Sequence, residues 1–239
     1  MIHFLSDVHL SPGSPGVTRI FLDYLGGLAR QAQSLYILGD LFEAWIGDDD
    51  DDSFHQKIIA ALNAASAAGI SIHIQRGNRD FLLGSRFAAA SATKLLPDPF
   101  LLSLPEKKFV LSHGDALCTD DKEYQSFRLQ VRSPTWQTAF LARPLAERRA
   151  LATQLRQQST QYKQQKDSTL MDLNRQTTDD FIRQHGHATF IHGHTHQPAT
   201  HHHLVDNIPV ERWVLADWQE DRGEILGWDG ISLQRQALI

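Results

Sequence analysis

A single cysteine, Cys118, stands in 239 residues, which excludes a disulfide framework and a cysteine-based zinc cluster and suits a reducing compartment. There is no run of about 18 apolar residues, the length a membrane-spanning helix needs. The start reaches Asp7 and His9 before any long apolar stretch forms, so no signal peptide is expected. Positive charge is not in excess: the net charge of −5 argues against general nucleic-acid binding. Hydrophobic residues at 41% and charged residues at 21% are ordinary, which excludes wholesale disorder and a coiled coil. The chain is long enough to bury a core unaided. What it does have in unusual number is histidine, 13 in all.

The first half alternates short apolar runs with helical spacing. Ile2–Ser6, Leu35–Leu38 and Ile70–Ile74 read as strands, with helices over Val17–Ala32 and Phe54–Ala68, the second stopped by Gly69. Such alternation predicts parallel βαβ units. Leu101–Leu104 and Phe109–Ser112 read as further strands, as does Thr189–His192. Arg212–Ala216, Glu224–Trp228 and Ser232–Arg235 read as a closing antiparallel set with Asp229-Gly230 at a turn. Between about residues 120 and 170 no strand is expected. That stretch is helical, broken at Pro134 and Pro144, and rich in Gln and Arg. Residues 118 to 170 carry nine Lys and Arg against five Asp and Glu, a surplus of four that leaves −9 on the remainder. One domain spanning 1–239 with a basic helical insertion follows. Two low-complexity pieces, Asp48–Asp52 and His201–His203, read as a solvated acidic loop and an exposed histidine run.

Five polar pieces each follow an apolar run directly: Asp7-Val8-His9, Gly39-Asp40, Gly77-Asn78-Arg79-Asp80, His113-Gly114-Asp115 and Gly193-His194-Thr195-His196. In an α/β sheet ligands bind beyond the carboxyl ends of the strands, so five pieces at five strand ends can converge. Asp7 and His9, and likewise His194 and His196, stand at i and i+2; if the strand persists, both members of a pair point the same way. His192, two residues before His194, reads as a strand histidine satisfied by packing. Together Asp7, His9, Asp40, Asn78, His113, His194 and His196 offer seven oxygen and nitrogen donors and no sulfur. That is too many for one ion and suits two with a shared carboxylate, preferring Mn, Fe or Zn to Mg or Ca.

The ordered set D-x-H, GD, GN-R-D, H and GH-x-H resembles the calcineurin-like metallophosphoesterase family. Leu38–Asp48, Gly77–Gly84 and the stretch from Cys118 through Asp121 to Tyr124-Gln125 and Phe127-Arg128 are similar to the branch that acts on UDP-2,3-diacylglucosamine in lipid A biosynthesis. The resemblance implies an α/β fold, a β-sandwich flanked by helices with an inserted helical lid at about 120–170. It implies two Mn2+ per chain, one held by Asp7, His9, Asp40 and His196 and the other by Asp40, Asn78, His113 and His194, with Asp40 bridging. It implies water attack on the alpha phosphorus, releasing UMP and the lipid sugar phosphate. Asn78 and Arg79 are the expected catalytic residues, and both, with His194, are also expected to touch substrate. Positions matching Asp121, Ser159 and Lys166 would meet the glucosamine and its phosphate. The expected setting is cytoplasmic and peripheral on the inner membrane, with a lipid-linked nucleotide sugar as substrate and neither nucleic acid nor protein as partner.

Two residue-level arguments bear on substrate. Many relatives carry a histidine where this chain has Arg79. An arginine cannot donate a proton near neutral pH, but it can hold phosphate oxygens and stabilise developing charge. That fits a leaving group that is already a stable anion, as a phosphate monoester is. Ser159, Lys163 and Lys166 stand at i, i+4 and i+7, on one helical face suited to a phosphosugar; a solvated Gln-rich face is the competing reading. Tyr124, Phe127, Trp136 and Phe140 make the first part of the insertion apolar, for helix packing or for acyl chains. A phosphoesterase of soluble substrates and a non-catalytic scaffold of the same fold remain the alternatives.

Overall fold

Of the 239 residues, the computed structural model describes 1–165 and 172–239, and for residues 158 and 160–165 the backbone alone. The strands are β1 (Ile2–Leu5), β2 (Ser34–Leu38), β3 (Ser71–Gln75), β4 (Lys94–Leu95), β5 (Phe100–Ser103), β6 (Lys108–Ser112), β7 (Thr189–His192), β8 (Ala199–Val205), β9 (Ile208–Val214), β10 (Gly223–Trp228) and β11 (Leu233–Leu238). The helices are α1 (Pro15–Gly26), α2 (Ser53–Ala67), α3 (Ser85–Ser91), α4 (Lys122–Val131), α5 (Pro134–Leu141), α6 (Leu145–Gln165) and α7 (Arg175–Gln184).

The strands form two sheets, ordered β11-β10-β1-β2-β3-β4 and β5-β6-β7-β9-β8. β1, β2 and β3 run parallel, as the βαβ pattern requires, and so do β6 and β7. Phe4, Tyr36 and Leu38 of the first sheet meet Phe109, Leu111 and Ile191 of the second in one buried cluster, the filling of a sandwich. A larger cluster joins the first sheet to α1 and α2 through Ile20, Phe21, Ile58 and Leu62. A third packs Phe181 and Ile182 of α7 on Val110 and Phe190. The α/β sandwich flanked by helices is therefore as expected.

Several elements differ from the sequence reading. The helix expected over Val17–Ala32 ends at Gly26; Gly27 leaves helical geometry at φ −118°, ψ −95°, and a separate 3-10 turn covers Leu28–Gln31. Two successive glycines remove the propensity that would have carried it through. The three closing strands do not form one set. β10 and β11 pair through the Asp229-Gly230 turn, but β9 lies in the other sheet, parallel to β7 and antiparallel to β8. β8 is a strand that the residues do not announce, because its histidines hide the alternation. His202 is exposed, whereas His201 and His203 are half-buried, and His203 Nδ1 lies 2.6 Å from Asp179 Oδ1. The Asp206-Asn207 hairpin closes that pair with both residues at positive φ, 54° and 63°.

The chain between β6 and β7 contributes α4, α5, α6 and α7, of which the first three form a helical excursion. Ser133 caps α5, with Pro134 in its first turn. The acidic run is not a solvated loop: it fastens this helical excursion to the body. Asp49 receives Arg148 of α6 at Nη1 and Nη2, and Arg148 also donates to the Ile46 carbonyl at 2.7 Å. Asp50, itself buried, meets Arg149. Asp52 caps α2 through the Phe54 N–H. No helix among the described residues is long and apolar enough to cross a membrane.

At its other end the excursion hangs on Asp115. This fully buried carboxylate accepts the Tyr124 hydroxyl and Arg128 Nε, each at 2.8 Å, and Arg132 Nη2 at 3.1 Å. Burial would raise its pKa, but Arg132, His113 and Arg128 hold it well below the usual carboxylate range. A depressed carboxylate stabilises the fold above its unfolded pKa, near 3.9, and that contribution is lost as pH falls through the folded value. Asp115→Asn is therefore expected to destabilise by about 3 kcal/mol at pH 7 in urea unfolding. The difference from wild type should shrink below about pH 4. A difference independent of pH would show that the charge is not what anchors α4.

Candidate metal centre

The five polar pieces do converge. Asp7 and His9 follow β1, Asp40 follows β2, Asn78 and Arg79 follow β3, His113 follows β6, and His194 and His196 follow β7. The means differs from the expected strand alternation. β1 ends at Leu5 and β7 at His192, before the residues in question. Asp7, His9, Asp40, His194 and His196 instead adopt left-handed backbone, with φ of 51°, 53°, 52°, 69° and 55°. Non-glycine residues seldom do so, and such strain gathers at functional sites. Gly39 precedes Asp40 at φ +88°, and a Cβ there would stand 2.6 Å from His113 Nδ1. Only glycine allows the β2 loop to come so close to the other sheet.

Asp7 is fully buried, and its Oδ2 accepts Ser6 Oγ at 2.5 Å and the His194 N–H at 2.9 Å. Its Oδ1 accepts no hydrogen bond among the described residues, although His196 Nε2 lies 3.4 Å away and His9 Nε2 3.9 Å. The two imidazole Nε2 atoms of His9 and His196 are 3.3 Å apart. Asp40 lies between two groups, with Oδ2 3.8 Å from His9 Nε2 and Oδ1 3.8 Å from His113 Nε2. On the second side Asn78 Oδ1 is 2.9 Å from His113 Nε2 and 2.8 Å from His194 Nδ1. His113 Nδ1 donates to the Leu38 carbonyl at 2.9 Å, which turns Nε2 inward.

This set fits metal ions. Asp7, His9 and His196 offer ligand atoms within 4.8 Å of one another, as do Asp7, Asp40 and His113. Donors roughly 2 Å from a shared ion stand about 3 Å apart, the spacing seen between the His9 and His196 nitrogens. The buried Asp7 oxygen without a donor is the kind of atom a cation satisfies. The electrostatics agree. Burial would lower the pKa of His113, but Asp40, Asp7 and Asp115 carry it up to about 9. Burial raises and the surrounding imidazoles lower the carboxyls of Asp7 and Asp40, which end below the usual range. His194, by contrast, is pushed down to about 3 by burial and the His113 charge, so it is a neutral imidazole. His192 is likewise neutral, at about 3 through burial and Arg212; it packs on Phe190 and is no part of the cluster.

Beside the cluster lies a chamber of about 300 Å³. Asn78 and Arg79 border it, and Trp45, Phe81, Phe127, Trp136, Phe140 and Leu155 make it largely apolar. Its size falls at the lower end of small-molecule sites. The Arg79 N–H donates to Asp40 Oδ1 at 2.8 Å, while its guanidinium makes no hydrogen bond among the described residues. Burial lowers the pKa of that guanidinium without discharging it. Ser159 reaches the chamber. Asp121 does not line it: that carboxylate is buried and caps α4 through the Tyr124 N–H. Of the other two expected contacts, Lys163 lies on α6 with its side chain outside the described residues, and Lys166 lies outside them altogether.

Arginines that the sequence reading did not place at the site also border it, as does Tyr124, read there only as apolar. Arg128, Arg132 and Arg156 line the chamber, and the Tyr124 ring lies 5.7 Å from that of His194. Arg156 stands three residues before Ser159 on the same helical face, so extending the i, i+4, i+7 pattern backwards would have found it. Asp80 shapes the site from beneath. It accepts the backbone N–H of Gly77 at 2.7 Å and of Leu41 at 2.8 Å, with longer bonds from Asp40 and Phe42. Asp80→Asn would turn an amide N–H2 toward those donors. It should cost about 1–3 kcal/mol in thermal or urea unfolding and weaken any divalent-metal binding measured by titration. Unchanged stability together with unchanged metal affinity would contradict this role.

Comparison with known proteins gives a consistent picture. Residues 1–198 match the model of the calcineurin-like phosphoesterase family. The chain is similar to a UDP-2,3-diacylglucosamine hydrolase of Aromatoleum aromaticum, 51% identical over 95% of this chain and 92% of that one. A protein of the same name from Chromohalobacter salexigens is 48% identical over 92% of this chain and 89% of its own. Among solved structures, the phosphoesterase Yfce of E. coli aligns over 100% of this chain and 99% of that one at 15% identity, with a TM-score of 0.44.

Proposed function

The chain belongs to the calcineurin-like phosphoesterase family, and on that premise we propose that it hydrolyses UDP-2,3-diacylglucosamine to UMP and 2,3-diacylglucosamine 1-phosphate in lipid A biosynthesis. One observation carries the reading. The apolar chamber beneath α4, α5 and α6 opens on Asn78 and Arg79, so an apolar part of the substrate entering it would stand beside the diphosphate. The names of the relatives point the same way.

We assign one ion to Asp7, His9, Asp40 and His196 and a second to Asp40, Asn78, His113 and His194. Asp40 would serve both, because its two oxygens face the two groups of residues. Oxygen and nitrogen donors without sulfur suit Mn2+. The metal pair, when bound, supplies the Lewis acidity that activates water and neutralises charge at phosphorus. The chain's own residues do the rest. Arg79 holds phosphate oxygens and stabilises charge on the leaving phosphate, which departs as a stable anion and needs no general acid. Asn78 and His194 touch both the cluster and the substrate. Ser159 contacts the sugar from α6, with Lys163 and Lys166 further along the chain; a sugar contact at Asp121 must share its carboxylate with the α4 cap. The whole is one domain, 1–239, with the excursion at about 120–170 as a lid. Its place is the cytoplasmic face of the inner membrane, held peripherally. The exposed Phe127, Leu129 and Leu141 of α4 and α5 support this.

Chelation should abolish UMP release and Mn2+ should restore it. Arg79→Ala is expected to lower kcat by about 10²–10³ while Mn affinity stays as in wild type. Each pair of methylenes removed from the acyl chains should lower kcat/KM about tenfold, because each contributes roughly 0.8 kcal/mol on burial. UDP-glucosamine without acyl chains turned over as fast as the lipid would instead place the chain among phosphoesterases of soluble substrates.

A further inference from the structure

Glu43 lies in the loop that carries Asp40 and belongs to neither proposed ligand group. Its Oε2 is 3.1 Å from His9 Nδ1. The opposite nitrogen of the ring, Nε2, faces the cluster, 3.3 Å from His196 Nε2 and 3.8 Å from Asp40 Oδ2. A ligand histidine whose far nitrogen meets a carboxylate is held in one tautomer and one orientation. Nδ1 has no aligned hydrogen bond among the described residues, which leaves Glu43 as the acceptor within reach. An ion on Nε2 makes the Nδ1–H a stronger donor and draws it toward that carboxylate.

The other side of Glu43 is held by α6. Arg156 Nη1 donates to the Glu43 carbonyl at 2.6 Å, and Arg156 Nη2 contacts the Glu43 carboxylate. Arg156 also lines the chamber beside Ser159. Arg148 and Arg149 fasten the same helix to Asp49 and Asp50, further along the same loop. Direct contacts therefore run from His9 through Glu43 to Arg156, from the metal cluster to the helix over the chamber.

We propose that Glu43 is a positioning residue: it orients His9 for the ion shared with Asp7 and His196, and through Arg156 it couples that ion to the seating of α6. The inference rests on the metal assignment above. Such coupling is reciprocal: the ion strengthens α6 docking by the factor by which docking strengthens the ion. A carboxylate serving α6 alone would alter stability and leave ion affinity untouched.

The test uses the full chain. Mn2+ binding is titrated by electron paramagnetic resonance in wild type, Glu43→Ala, Glu43→Gln, Arg156→Ala and the double variant Glu43→Ala with Arg156→Ala. Amide exchange of residues 145–157 is followed with and without Mn2+. Glu43→Ala should weaken one of two ions about 10–100-fold and leave the other. Glu43→Gln, nearly isosteric and still an acceptor, should lie between it and wild type. Arg156→Ala should weaken the same ion about fivefold or more, an effect that vanishes once Glu43 is alanine. Mn2+ should slow exchange in α6 of wild type but not of Glu43→Ala. Full affinity in both Glu43 variants overturns the inference. So does an Arg156 effect of equal size in both backgrounds, or Mn2+ protection of α6 that survives Glu43→Ala. A wild-type chain that binds no Mn2+ overturns the metal assignment itself and this inference with it.

Discussion

The loop after β2 is held against the loop after β3 by the Asp80 carboxylate, which gathers the backbone N–H groups of Gly77, Leu41, Asp40 and Phe42. Burial and the nearby Asp40 charge raise its pKa to about 6, so the same low-dielectric setting that sharpens its hydrogen bonds also opposes its charge. Everything at the cluster depends on this tie. It fixes where Asp40 stands between His9 and His113, and it keeps Asn78 and Arg79 beside it. The left-handed backbone at five of the seven donors persists because such ties over-determine the loops.

Chemistry and recognition are built from different parts of the chain. The donors come from strand ends in both sheets, where a rigid sandwich sets their spacing. The apolar chamber comes from α4, α5 and α6, a separate stretch fastened by Asp115 at one end and by the acidic run at the other. Arg79 stands where the two meet, a charged guanidinium largely withdrawn from water beside both. On the proposed reading, rigid elements would hold the reacting centre and a clasped excursion would shape the binding space.

Much of this was legible in the residues. Apolar runs followed directly by Asp, Asn or His marked the strand ends, and the parallel order of β1, β2 and β3 followed from their alternation with helices. What could not be read was pairing between distant segments. Nothing local assigns β9 to β7 and β8 in place of β10, because the pattern gives a strand its faces and not its neighbours. β8 was hidden by its own histidines. The acidic run misled because charge composition says nothing of a partner about 100 residues away: Arg148 and Arg149 turn Asp49 and Asp50 into a clasp. Asp7 and His9 were brought together for the wrong reason, since a left-handed turn and not a continued strand aims both inward.

In the mechanism we propose, the cluster and Arg79 direct hydrolysis to the phosphorus attached to uridine, with the lipid phosphate leaving. The test is cleavage of UDP-2,3-diacylglucosamine by the Mn-loaded chain in oxygen-18 water. One labelled oxygen is expected in UMP and none in 2,3-diacylglucosamine 1-phosphate. Label in the lipid phosphate would contradict it, since the attack would then fall on the other phosphorus and the role given to Arg79 would be reversed.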